Sequence, residues 1–327
     1  MKAIHVPEPG GPEALTFGEF PDPLPGEEEI VIRITAAGVN RADILQRQGK
    51  YPPPPGAPPF PGLEVAGIVE AVGSRCQRWK VGDRVCTILA SGGYAEKVAV
   101  HCELPMPTPP NLSDVQAAAI PEVFLTAYQT LIWIGGLQKG EFALIHAGAS
   151  GVGTAAIQIA HVKEALPLVT AGSDEKIAFC KELGAIAGIN YKTTDFAPVV
   201  LQETNQHGAD VILDPVGAPY FTANLKALAT DGRIIYIATM GGARIAECDL
   251  RALFKKRAQI TASTLRSRSL NYKIDLSREF ARTLLPLFTT GELQPVVDKV
   301  FSWKDVQEAH RYMEANRNKG KIILTID

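Results

Sequence analysis

The chain reads as an α/β protein: a partly open β-barrel joined to a six-stranded, doubly wound parallel sheet. Three observations predict this. Residues 1–120 alternate short strand patterns with Pro/Gly turns, as small barrels do. Residues 121–268 alternate apolar strand patterns with helical ones, which implies a parallel sheet covered on both faces. Within them, the apolar run ending Leu144-Ile145-His146 breaks into glycines and passes at once into the helical pattern Thr154–Ala160.

In the first part, Met1–Val6 reads as a strand, followed by strands at Glu29–Ile34 and Val65–Gly73 and one beginning at Gly82–Val85. Tyr51-Pro-Pro-Pro-Pro-Gly-Ala-Pro-Pro-Phe-Pro-Gly62 excludes helix and central strand, because proline fixes φ and removes the N–H donor. It is a stiff loop. In the second part the strands after Leu144 are Leu168–Thr170, Gly188–Asn190, Asp210–Leu213, Arg233–Ile237 and Gln259–Ala262. Six such strands suit the dinucleotide-binding order of a doubly wound sheet. From 269 to the end the pattern gives a helix over Asp275–Thr290, a strand over Val296–Phe301, a helix over Asp305–Asn316 and a strand over Lys321–Ile326. This tail is expected to return to the first part, so the domains are 1–120 with 269–327, and 121–268.

A chain of 327 residues suits about two domains. Hydrophobic residues are 46% and charged residues 21%, typical of a globular protein. A net charge of −2 makes no electrostatic case for nucleic acid or an anionic membrane. No apolar run approaches the roughly 20 residues of a membrane span, and the N-terminus is a strand rather than a signal peptide. The five cysteines, Cys76, Cys86, Cys102, Cys180 and Cys248, are scattered and odd in number, which points to free thiols and a cytoplasmic location. The histidines His5, His101, His146, His161, His207 and His310 show no ligand spacing and read as ordinary polar or half-buried residues.

The glycine turn has the form G-x-x-G-x-G: Gly148, Ala149, Ser150, Gly151, Val152, Gly153. Free N–H groups and the helix's positive end suit a pyrophosphate there. A side chain at Gly151 or Gly153 would push the phosphates or the packed strand away. A dinucleotide site further calls for a group at the end of the second strand. NAD sites place Asp or Glu there for the ribose 2′-OH. Here Ala171, Gly172 and Ser173 occupy that end, with Lys176 one turn on and Tyr191 closing the next strand. A 2′-phosphate wants a cation and hydroxyl donors, which favours NADPH. Asp174 and Glu175 bring opposing charge, or simply complement their helix N-terminus. Val216 and Gly217 follow one strand and Ala238–Gly242 the next, at the carboxyl edge where ligands bind.

Residues Ala37–Asp43, Gly62–Gly67, Val81–Val85, Gly92–Glu96, Leu125–Ala127, His146–Gly153, and Ala309-His310 with Gly320-Lys321 lie in the order of a known pattern. By these the chain resembles the medium-chain dehydrogenase/reductase superfamily, and more closely its zinc-free quinone oxidoreductases. Asn40–Asp43, Gln46–Gly49, Leu265–Arg268 and Met313–Asn316 are similar to the p53-inducible-gene-3 type. The resemblance implies a GroES-like barrel as catalytic domain and a Rossmann cofactor domain. It assigns the 2′-phosphate to Ser173, Lys176 and Tyr191, nicotinamide contacts to Ala238, Met240, Gly241 and Leu265, and a phosphate-side position to Asn316. Met240 also reads as core.

Zinc members carry a cysteine near Gly38–Asp43 and a histidine where Leu63 stands, so no metal is expected. Glu64 keeps its place and is expected to bond backbone or an arginine. Around the substrate the resemblance puts Asn40, Tyr51 and Thr126: an amide to orient it, a phenol to donate to its oxygen, and a hydroxyl for the carboxamide of nicotinamide. Asn40 also reads as a helix N-cap, Tyr51 as a loop anchor and Thr126 as a helix-start residue. The expected activity is hydride transfer from NADPH to a quinone. Reduction of activated C=C bonds, or non-catalytic NADPH or RNA binding, are the alternatives. RNA is disfavoured, since Lys255-Lys256-Arg257 and Arg266/Arg268 form only a short basic cluster. The resemblance also implies a homodimer through the edge strand Gln259–Thr264, whose unpaired backbone is otherwise a liability.

Overall fold

The structure is a computed structural model describing residues 1–327. In chain order the elements of the first stretch are β1 (Lys2–His5), β2 (Thr16–Glu19), β3 (Glu29–Val39), α1 (Arg41–Arg47), β4 (Glu64–Val72), β5 (Arg84–Ile88), β6 (Lys97–His101), β7 (Met106–Pro107), α2 (Asp114–Ala117) and α3 (Pro121–Tyr128). Then come β8 (Phe142–Ile145), α4 (Gly151–Val162), β9 (Leu166–Ala171), α5 (Asp174–Glu182), β10 (Ala187–Asn190), α6 (Phe196–Glu203), β11 (Ala209–Asp214), α7 (Phe221–Ala227), β12 (Leu228–Tyr236), α8 (Leu250–Lys256) and β13 (Gln259–Ala262). The chain closes with α9 (Leu270–Thr283), α10 (Leu285–Thr290), β14 (Val297–Ser302), α11 (Val306–Glu314) and β15 (Lys321–Thr325).

Two compact units result: residues 1–125 with 265–327, and residues 126–264. The sequence boundaries at 120/121 and 268/269 therefore move. Residues 121–125 and 265–268 belong to the first unit, and the first boundary falls inside α3.

The first unit is built on a seven-stranded sheet of order β14-β15-β3-β4-β5-β7, with β6 also on β3. The tail does return: β15 pairs antiparallel with β3, Ile322 opposite Val39 and Thr325 opposite Ala36. This explains why β3 runs to Val39 rather than stopping at Ile34. Its second half is a central strand between β4 and β15, a tertiary setting that overrides the weak strand preference of Ala36-Ala37-Gly38. Residues 51–63 contain neither helix nor strand, as the prolines dictate.

The expected helix over 275–290 is two helices. Ser269 starts α9 early, its Oγ accepting from Tyr272 N at 3.3 Å, and Pro286 sits in the first turn of α10, where its missing N–H costs nothing. The expected helix from 305 begins as a 3₁₀ turn, Trp303–Asp305, and α11 ends at Glu314. Asn316 follows in a left-handed conformation, φ 53°.

The second unit is the six-stranded parallel sheet, order β10-β9-β8-β11-β12-β13. Numbered within the unit this is 3-2-1-4-5-6, the dinucleotide-binding order. Leu144, Leu168, Ile212 and Ile234 are fully buried in its core. Every residue of β13 is exposed, so this edge is uncovered in the single chain.

One expectation about composition needs correcting. Asp114–Ile134, a 21-residue helical stretch, is long and apolar enough to cross a membrane by length and composition alone. Most of it is buried inside the protein, which is how a core helix of this composition hides its apolar surface.

Candidate active site

In the first unit, Asn40 precedes α1 in an extended conformation, and its N–H donates to Asp43 Oδ2 at 2.7 Å. Its side chain is used elsewhere. Nδ2 donates to Glu64 Oε1 at 2.9 Å, while Oδ1 accepts from Lys321 Nζ at 2.7 Å. Lys321 Nζ also lies 2.6 Å from Glu64 Oε1 and donates to Val39 O at 2.9 Å. The other Glu64 oxygen accepts from Glu122 N at 2.8 Å. Glu64 is 0% exposed, so this is a buried ion pair whose remaining hydrogen-bonding capacity is filled, the condition under which such a pair is tolerable. Glu64 thus bonds backbone, as expected, but its cation is a lysine and not an arginine. Leu63 beside it is buried and has no donor atom.

A second buried chain runs behind α1. Asp43 Oδ1 accepts from Gly62 N at 2.9 Å, and Tyr94 Oη lies 3.3 Å from Asp43 Oδ2 and 3.2 Å from His310 Nε2. Arg47 Nη1 lies 3.3 Å from His310 Nδ1. A guanidinium only donates, so Nδ1 accepts, Nε2 carries the proton, and the chain is polarised Arg47→His310→Tyr94→Asp43. Burial and the Arg47 charge hold His310 down at about 3, hence neutral. Burial pushes Asp43 up to about 6, against the two N–H bonds it accepts. Burial and the neighbouring Glu64 push Glu122 up to about 8.

Tyr51 is half-buried at the start of the proline loop. Burial raises its phenol and the nearby Arg266 draws it back. Arg41 Nη2 donates to Asn316 Oδ1 at 2.7 Å, and Leu265 is buried. The first unit therefore brings Asn40 against Glu64 and Lys321, ties Asn316 to α1, and ties Tyr51 to Arg266.

In the second unit, β8 ends at the glycine turn. Ser150 starts α4, its Oγ accepting from Gly153 N at 3.1 Å. A Cβ at Gly153 would lie 2.4 Å from Ala147 O, and one at Gly148 would lie 2.7 Å from Val169 Cβ. The turn is bare because the backbone folds onto itself there. The first-turn N–H groups of α4 lack intrahelical partners by construction. Ala149 is buried and Val152 half-buried in the same turn.

At the end of the second strand, Gly172, Ser173 and Tyr191 lie close together. Ser173 caps α5, accepting from Lys176 N at 3.3 Å. A Cβ on Gly172 would lie 2.9 Å from Tyr191 Oη and 3.4 Å from Lys192 Cε. Lys192, which no local sequence signal marks, therefore joins Gly172, Ser173 and Tyr191. Asn190 Nδ2 donates to Asp174 Oδ1 at 3.0 Å, which occupies one of the two carboxylates that weighed against a phosphate.

The two loops at the carboxyl edge meet. Met240 N donates to Pro215 O at 3.1 Å, Gly241 N to Val216 O at 2.8 Å, and Ala218 N to Gly242 O at 2.9 Å. Gly217 sits at φ +91°, where an added Cβ would lie 2.6 Å from Gly242 O. Met240 is 56% exposed and is not core; Ala238 is half-buried. Beneath them Asp214 Oδ1 accepts from Val216 N at 2.5 Å and Gly217 N at 2.9 Å, and Oδ2 from Asn224 Nδ2 at 2.6 Å. The Asn224 carbonyl then takes His146 Nε2 at 2.7 Å, and His146 Nδ1 meets Thr170 Oγ1 at 2.9 Å. Burial depresses His146, which is neutral. His146 and His310 are thus fully buried and bonded rather than half-exposed. Thr126 is buried, its carbonyl accepting from Thr130 Oγ1 at 2.7 Å.

A barrel carrying a buried polar cluster, with a bare glycine turn in a 3-2-1-4-5-6 sheet, defines a two-domain dehydrogenase/reductase. Residues 26–110 match the alcohol dehydrogenase GroES-like domain family, and residues 183–324 the zinc-binding dehydrogenase family. Quinone oxidoreductase of Lama guanicoe is 32% identical over 329 residues, spanning all of this chain and 98% of that protein. A phenolphthiocerol/phthiocerol polyketide synthase of Mycobacterium tuberculosis is 31% identical over 325 residues. That match takes in 99% of this chain and 15% of the synthase, so the chain spans about 15% of that relative's length. Among solved structures, Escherichia coli quinone oxidoreductase complexed with NADPH superposes with TM-score 0.90 at 30% identity, covering 100% of both chains. The apo form of JamJ enoyl reductase gives 0.88 at 29%, covering 100% of this chain and 99% of the other. The chain belongs to the medium-chain dehydrogenase/reductase superfamily of oxidoreductases.

The zinc in one family's description can be tested against the donors present. Leu63 offers none, Glu64 is held by Lys321, Asn40 and a backbone N–H, and nowhere do three or more His, Cys, Asp or Glu side chains group as a metal site needs. The residues do not fit a catalytic zinc.

Proposed function

We propose that this chain is an NADPH-dependent, zinc-independent quinone oxidoreductase. The observation that carries the reading is the buried Glu64–Lys321–Asn40 cluster beside Leu63, where a zinc enzyme needs a metal donor set. Without a Lewis acid, an isolated ketone is a poor acceptor. A quinone needs less help, because its reduced anion is aromatic and delocalised.

The residues proposed to hold NADPH are the turn Gly148–Gly153 for the pyrophosphate, Gly172, Ser173, Lys176 and Tyr191 for the 2′-phosphate, and Val216, Gly217, Ala238, Met240, Gly241 and Leu265 for the nicotinamide side, with Asn316 on the phosphate side. The bare glycines and the missing carboxylate at Ala171 fit that group, and relatives' structures carry it. When bound, it supplies the hydride. The protein's part is to orient the acceptor and to place donors where negative charge develops on its oxygen. Tyr51 offers a phenol for this, and Thr126 a hydroxyl for the carboxamide. Asn40, clamped between Glu64 and Lys321, is a fixed polar wall that orients the acceptor.

The second reading is reduction of an activated C=C bond, favoured by the likeness to enoyl reductase structures. Initial rates with NADPH and NADH against an ortho-quinone panel and an enone panel decide between them. The quinone reading predicts higher kcat/KM for ortho-quinones and for NADPH, with no stoichiometric zinc by elemental analysis. Faster enone turnover, or one zinc per chain, overturns it. We also propose a cytoplasmic homodimer in which β13, exposed along its whole length, pairs with its symmetry mate.

A further inference from the structure

The proline loop is anchored at both ends by one buried network. Arg266, 6% exposed, donates from Nη1 to Tyr51 O at 3.1 Å, from Nε to Ala90 O at 2.6 Å and from Nη2 to Gln46 Oε1 at 2.6 Å. Its guanidinium carbon lies 4.8 Å from the centre of the Tyr51 ring. Gln46 Nε2 continues to Ser91 Oγ at 3.1 Å, and Ser91 Oγ donates to Phe60 O at 2.5 Å. Gly92 N donates to the same carbonyl at 2.8 Å. The first and tenth residues of the loop are thus coupled through 266, 46 and 91, side chains far apart in sequence.

We infer that Arg266 is the positioning residue for Tyr51, fixing its backbone and ring together so that the phenol is presented in one orientation. The inference rests on the reading of Tyr51 as the donor to the acceptor's oxygen. A guanidinium suits the task better than an ammonium: its planar fork satisfies three acceptors at once while its face lies against an aromatic ring. One N–H on each guanidinium nitrogen is spent on protein, on Tyr51 O, Ala90 O and Gln46 Oε1, which ties Arg266 to Tyr51 and to both ends of the loop. The charged groups around the pair are Glu122 of α3, Asp43 of α1 and Lys273 of α9, whose Nζ donates to Arg266 O at 3.4 Å. Arg266 favours the phenolate and Glu122 opposes it, so removing the guanidinium moves the Tyr51 titration upward.

The test uses the full chain with ¹³Cζ-tyrosine label, the Tyr51 resonance being assigned by its loss in Tyr51→Phe. In Arg266→Gln the Tyr51 resonance is expected to move and its titration midpoint to rise. With an ortho-quinone, kcat is expected to fall about ten- to a hundredfold while the KM for NADPH stays within about twofold. Arg266→Lys, which keeps the charge and loses the fork, is expected to restore most of the midpoint and only part of kcat. In a Tyr51→Phe background, Arg266→Gln is expected to cost no more than about twofold further, since both act through one group. An unmoved Tyr51 resonance and midpoint, or an undiminished effect of Arg266→Gln without the phenol, overturns the inference. A Tyr51→Phe variant with intact kcat overturns the role of Tyr51 itself, and the resonance measurements still decide whether Arg266 positions it. Should Arg266→Gln fail to fold, Arg266→Lys carries the test: a moved Tyr51 resonance and a kcat loss that vanishes in the Tyr51→Phe background are expected, and an unmoved resonance or an undiminished loss overturns the inference.

Discussion

In the first unit the buried polar groups are charged and come from distant segments: Lys321 on Glu64, and Arg47 through His310 and Tyr94 to Asp43. In the second they are mostly neutral and rest on backbone. His146 and Asn224 link the ends of β8 and β9 to Asp214, which spends one oxygen on two N–H groups. The contrast follows from topology. The C-terminal tail adds its strands to one side of the first unit's sheet, beside β3, so buried contacts there join side chains of remote segments. The parallel sheet aligns its own strand ends, and a single carboxylate can organise the loops leaving them. Charge holds one unit together and directed hydrogen bonding shapes the edge of the other, so the two should respond differently to substitution and to pH.

The largest effect is expected at Lys321. Lys321→Met leaves Glu64 buried and uncompensated, which costs about 3–5 kcal/mol. Urea unfolding should register this, and Glu64→Gln added to Lys321→Met should recover most of it. A loss below about 1 kcal/mol would mean that charge pairing is not what holds the barrel's interior. Asp214→Asn comes next, at about 2–3 kcal/mol, because an amide would turn a donor toward N–H groups that need acceptors. Both sites are buried, so salt should change either loss little.

Lys176→Ala is expected to weaken NADPH about ten- to a hundredfold, or about 1.5–3 kcal/mol, and NADH hardly at all. Calorimetric titration of both cofactors measures it. Equal losses would show that Lys176 does not read the 2′-phosphate, and would turn attention to Lys192 beside Gly172. The smallest effect is in pH dependence. Asp43 and Glu122 titrate higher when folded, at about 6 and about 8 against ordinary values of 3.8 and 4.5. The stability they contribute is complete below the ordinary values and is lost as pH rises, through about 6 for Asp43 and about 8 for Glu122. Glu122→Gln should flatten the decline between pH 6 and 8 by on the order of 1 kcal/mol, allowing for solvent around a half-buried carboxyl. A decline that keeps its slope in this variant would show that Glu122 is not the titrating group; His146, held neutral by burial, has the opposite sign and loses stability only as pH falls.

Much of this was legible along the chain because its signals are local. The strand–glycine–helix sequence at 144–160, the prolines of 52–61, the side chain without a donor at Leu63 and the missing acid at Ala171 each declare their chemistry within a few residues. Helix ends were less legible: nothing in the periodicity of 275–290 says that Pro286 opens a second helix instead of interrupting the first. The partners of Glu64, Asp43 and Tyr51 were not legible at all. Lys321 lies on the strand that β3 accepts from the C-terminus, His310 on the helix before it, and Arg266 just past the second unit. Composition and spacing dictate which stretches become strands and which surfaces must be buried. Which lysine meets which glutamate depends on how the C-terminal tail joins the sheet beside β3, and that is decided by packing and register summed over the whole sheet, information that no single stretch of sequence contains.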